Sequence, residues 1–129
     1  MIAIDTNVIV RFLTHDDEQQ FKKAYSLFKR PAVFIPDSVI QETEWVLRYA
    51  YEFSAEEVCD ALSGLFGLKN VRLSNPVLIA QALEWHQQGM DFSDAMHLSQ
   101  CQNCESLFTF DKSFRAKGRN LSHCSVNLA

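Results

Sequence analysis

Apolar positions fall in two rhythms along the chain. Short uninterrupted runs at residues 2–4, 32–36 (AVFIP) and 106–110 (SLFTF) read as buried strands. NVRLS (70–74) fits a further short strand, and the tail SVNLA (125–129) fits an edge strand. Between them the apolar spacing turns helical. A first helix is expected over about 6–13. A second, capped by Asp16 or Asp17, presents Phe21, Ala24, Tyr25 and Phe28 at i, i+3, i+4 and i+7 and closes at Pro31. A third runs from Asp37 or Ser38, read as its cap, to about Tyr51. SAEE (54–57) is a capping box, Ser54 with Glu57, that opens a fourth. Asn75-Pro76 places an N-cap before a first-turn proline and opens a fifth, ending near Gly89. A sixth spans about 92–103, and Asp111 caps a short helical turn.

Strands that alternate with helices imply a mostly parallel sheet covered by helices, an α/β sandwich of three layers. No linker, repeat or low-complexity tract breaks the pattern, so residues 1–129 are expected to form a single domain. Composition agrees: 47% apolar and 22% charged, with ten Phe for the core and only four Gly and three Pro for loops. The net charge of −4 argues against a broad basic face that coats nucleic acid, though not against an enzyme that meets nucleic acid through cations. No apolar run is long enough for a bilayer, so no membrane association is expected. No signal peptide is apparent, so a cytoplasmic protein with four reduced cysteines is expected.

In parallel sheets ligands gather beyond the carboxyl ends of the strands. Asp5 follows the first strand and Asp111 a later one. On the third helix, a count of 100° per residue clusters Val39, Val46 and Ala50, with Glu42 at that apolar face and Glu44 turned away. On the sixth, Asp94 shares a face with Leu98 and Cys101. Each acid has a plain use: Asp5 and Asp111 as caps, Glu42 as a helix-boundary residue reaching solvent, Asp94 as a first-turn acid favoured by the helix dipole. Together they suggest a hard divalent cation, because inward carboxylates of like sign otherwise protonate.

The stretches IAIDTNVIVRFLTHD, IPDSVIQETEWVLRYAY, DFSDAMHLSQC and LFTFDKSF resemble a PIN domain of the VapC toxin type over nearly the whole chain. The resemblance implies a PIN-like sandwich and an acid quartet of Asp5, Glu42, Asp94 and Asp111. These would serve as catalytic and metal-binding residues for Mg²⁺ or Mn²⁺, converging on one metal position. It implies endoribonuclease activity on an RNA substrate, a homodimer, and neutralisation by a VapB-type antitoxin in a bacterial cytoplasm. Thr6, Asn7, Ser93 and Thr109 are expected to support the acids by hydrogen bonds. Water attack at phosphorus would leave 5′-phosphate and 3′-hydroxyl ends. Lys112, Arg115, Lys117 and Arg119 are candidates for holding RNA phosphates, or a solvated turn.

Asp91 ranks below the quartet as an auxiliary acid. Phe12, Leu13, Trp45 and Leu47 are candidates for a partner or dimer contact, with core packing the alternative. Cys101 and Cys104 have CxxC spacing that suits zinc or redox chemistry, but Cys101 continues the Asp94–Leu98 stripe and His123-Cys124 lacks ligand spacing, so a packing role without metal is expected. Two other functions stand beside the toxin: a stand-alone RNA-processing nuclease, and a weakly active protein-binding module.

Overall fold

The computed structural model describes residues 1–129 as two compact units, Met1–Pro76 and Val77–Ala129. All strand pairings are parallel, as an α/β chain requires.

The first unit contains β1 (Ile2–Ala3), α1 (Thr6–Thr14), α2 (Glu18–Phe28), β2 (Val33–Phe34), α3 (Asp37–Tyr49), α4 (Ala55–Phe66) and β3 (Val71–Arg72). Its sheet has the order β1-β2-β3, with Ile2 opposite Val33 and Val33 opposite Val71. The strands are short, but Ile4 and Ile35 extend the ladder by donating to Phe34 and Arg72 carbonyls at 3.2 and 3.0 Å. Ile4, Val33 and Ile35 are buried together with Ile9, Val10, Val58 and Leu62 from the helices. Strands without solvent-facing alternation, such as AVFI, belong to sheets covered on their faces. α1 packs against α2 through Phe12, whose ring lies 4.3 Å from Phe28 and 6.1 Å from Phe21 between centroids. Asp17 caps α2, and the Ser54–Glu57 capping box opens α4 with both reciprocal bonds present.

Three sequence expectations change on α3. Pro36, without a side-chain cap bond, occupies the N-cap position, so Asp37 is a first-turn acid and not the cap. The buried stripe is Ile40, Thr43, Glu44 and Leu47, not the Val39, Val46 and Ala50 face. Glu44 is therefore the buried acid and Glu42 the exposed one. Burial of Glu44 is possible because Arg48, one turn on, meets it with two bonds of 2.7 and 3.2 Å. Leu47 is wholly buried and so offers no partner contact, whereas Trp45 and Tyr49 are 57% and 60% exposed with rings 5.1 Å apart.

The second unit holds α5 (Pro76–Gln87) from Val77 onward, α6 (Phe92–Ser99), β4 (Ser106–Thr109), α7 (Lys112–Gly118) and β5 (Ser125–Leu128). β4, α7 and β5 form a parallel crossover unit in which Ser106 pairs with Ser125 and Thr109 with Leu128. α7 approaches β5 closely: a Cβ on Gly118 would lie 2.8 Å from Val126 Cγ2. Phe92, Ala95, Leu98, Phe114 and Val126 are buried. α6 ends at Ser99, earlier than its apolar stripe predicts, because residues 100–104 continue as turns. No helix is long and apolar enough to cross a membrane.

Candidate active site

In the first unit, Asp5 leaves β1 and caps α1: its Oδ1 accepts from the Val8 amide at 3.2 Å. The cap uses one carboxylate oxygen. Capping and ligand duties are thus compatible in one residue. Thr6, only 5% exposed, donates its hydroxyl to Oε1 of Glu42. The first residue of α1 therefore orients an exposed acid on α3. Asn7 is exposed on α1.

In the second unit, Asp91 caps α6, its Oδ2 accepting from the Asp94 amide at 3.3 Å. Asp94 is half-buried in the first turn, with Ser93 beside it. Burial pushes the Asp94 carboxyl above its ordinary range. The neighbouring Asp91 and Asp111 charges push in the same direction, and His97 opposes them. Asp111 follows β4 and caps α7 through Oδ1, which accepts from the Phe114 amide at 3.0 Å. Its own amide donates to Thr109 Oγ1 at 3.0 Å, so Thr109 sets the turn that presents Asp111. Asp91, ranked below the quartet as an auxiliary acid, is the N-cap of α6 and stands three residues before Asp94. Of the basic candidates, Lys117 is engaged by the Gly89 carbonyl at 2.7 Å, while Lys112 and Arg119 are exposed and Arg115 half-buried.

Within each unit no three His, Cys, Asp or Glu side chains gather as a metal cage. The candidate donors are carboxylate oxygens. That donor chemistry fits a hard divalent cation and does not fit a thiophilic one.

Strand ends that hand carboxylates to helix N-termini, on parallel α/β units, define an acidic-site α/β protein. The chain belongs to the PIN domain family, whose model matches residues 2–120. Among solved structures it is similar to Mycobacterium tuberculosis VapC20, described as a sarcin–ricin loop cleaving toxin. Identity is 22%, over 92% of this chain and 95% of that one, with a TM-score of 0.45. No curated protein matches.

Proposed function

We propose that the chain is a metal-dependent endoribonuclease of the VapC type, the toxin of a pair whose VapB-type antitoxin restrains it. The observation that carries this reading is the PIN-family match over residues 2–120, with Asp5 and Asp111 capping helices directly after strands and Asp94 in the first turn of α6. Carboxylate oxygens at such positions suit a hard divalent cation. Asp5 and Glu42 in the first unit, and Asp94 and Asp111 in the second, are each proposed as ligands of Mg²⁺ or Mn²⁺. When bound, such an ion supplies Lewis acidity at a phosphodiester and lowers the pKa of water. The chain's own part is orientation: Thr6 fixes Glu42, the Val8 amide fixes Asp5, and Thr109 with the Phe114 amide fixes Asp111. Lys112, Arg115 and Arg119 follow Asp111 closely and would meet phosphates of the RNA.

Two surfaces of the first unit support the partner part of the reading. A groove of about 350 Å³ is lined by Asn7, Val8, Gln20, Ala24 and Leu27, with Lys23 at its side and Arg11 already paired to Asp16. It suits an amphipathic antitoxin segment carrying acids. The exposed Trp45 and Tyr49 suit a homodimer contact. The test is purified protein against structured RNAs with Mg²⁺, Mn²⁺ or EDTA. The reading requires cleavage with metal, none with EDTA, and none in Asp94→Asn. Metal-independent cleavage would reject it.

A further inference from the structure

Core packing accounts for only part of the second unit's cysteine use. Cys124 is buried and Cys101 half-buried, but Cys104 is exposed. The Cys104 amide donates to the Cys101 carbonyl at 2.9 Å, which closes residues 101–104 into a β-turn. Such a turn holds its first and last Cα atoms within about 7 Å. A disulfide spans Cα atoms about 4.4–6.8 Å apart. The Cys101 amide donates in turn to the Leu98 carbonyl at 3.1 Å, so the CxxC turn is tied to the end of α6. Cys124 lies close by, because Ser125 donates to Glu105 at 3.0 Å just ahead of the β4–β5 ladder. Burial holds the Cys101 thiol above its ordinary range, with Cys104 and Cys124 adding to it, which suits Cys101 to the second step and not the first.

We propose that Cys101 and Cys104 form a dithiol site that takes low-molecular-weight disulfides, such as glutathione disulfide, and closes into an intramolecular disulfide. This assignment is independent of the nuclease reading. Cys104 reacts first because it alone of the three is exposed. It gives its proton to water, and its thiolate attacks one sulfur of the small disulfide. That S–S bond breaks, one small thiolate leaves and is protonated, and a mixed disulfide remains on Cys104. The Cys101 thiolate, its proton also lost to water, attacks the Cys104 sulfur and expels the second small thiol. The small disulfide has gained two electrons and the protein dithiol has lost two. The closed turn joins the helix that carries Asp94 to the strand that leads to Asp111.

The experiment incubates the reduced full chain with defined ratios of glutathione to its disulfide, quenches by alkylation, and reads intact mass and peptide maps. The wild type should lose two hydrogens, with the link mapped to Cys101–Cys104. Cys101→Ser should stop at one attached glutathione, and Cys124→Ser should behave as wild type. Transient glutathione attachment in the wild type itself should map to Cys104, a readout that needs no variant to fold. The proposal is overturned if the native chain stays reduced at ratios that oxidise the urea-unfolded chain. It is equally overturned if the link maps to Cys124, or if the first attachment maps elsewhere than Cys104.

Discussion

Arg48→Met tests whether the buried acid of α3 is structural. Glu44 has a side chain 3% exposed, and Arg48 reaches it with Nε at 2.7 Å while remaining 28% exposed itself. Removing one partner of a buried ion pair costs roughly 3–5 kcal/mol, because the remaining charge keeps its desolvation penalty. Partial exposure of Arg48 lets water reach the pair, which places the loss near the lower end, about 3 kcal/mol. Unfolding entropy near 2.1 cal/mol/K per residue then gives a melting shift of about 10 °C for a chain of this length. The counter-variant is the apolar pair Glu44→Met with Arg48→Leu, which removes both charges. It should recover most of the loss, since replacing both partners is commonly neutral or stabilising. Urea titrations followed by circular dichroism on the two singles and the double close the cycle. The reasoning is refuted if Arg48→Met lies within about 0.5 kcal/mol of wild type, or if the apolar double is as unstable as the single.

Glu42→Gln should leave the melting temperature near wild type yet remove metal-dependent RNA cleavage, and Thr6→Val should weaken cleavage by loosening Glu42; cleavage assays with thermal melts check the pair. Gly118→Ala should destabilise by about 1–3 kcal/mol, because its Cβ would press on Val126 at 2.8 Å and α7 must shift from β5; urea denaturation reads this. The Asp16 carboxyl is held below its ordinary range first by the Tyr51 hydroxyl, then by Thr14 and Arg11. Its contribution to stability is thus present above the unfolded-state pKa and lost as pH falls through the lowered folded value. Tyr51→Phe should move the Asp16 titration upward in a carboxyl NMR titration, and an unmoved Asp16 curve would contradict the assignment.

Elements announced by local chemistry were legible in the chain. The capping box at Ser54, the caps at Asp17 and Asp111, and the strand-end position of Asp5 each follow from one or two adjacent residues. The face of α3 was not legible, because counting apolar residues assumes that charges face water. Glu44 is buried by an arginine four residues on, while Trp45 and Tyr49 stay outside, so apolarity and burial part company there. The end of α6 was missed for a related reason: its apolar stripe continues through Cys101, but the helix ends at Ser99 and Cys101 already lies in the turns that follow. Strand partners were beyond reach as well. Two-residue strands carry too little pattern to show that β1, β2 and β3 pair in one sheet while β4 pairs with β5.

The central claim is that the acid field around Asp94 exists for a cation. The most direct measurement is the thermal melt of wild type and Asp94→Asn, with and without Mn²⁺, paired with RNA cleavage on the same samples. Asn keeps the shape and removes a charge that burial, Asp91 and Asp111 all disfavour. Stability without metal should therefore hold or rise, while the Mn²⁺-induced shift and cleavage fall together. An Asp94→Asn protein that retains full cleavage and an unchanged Mn²⁺-induced shift would contradict the claim.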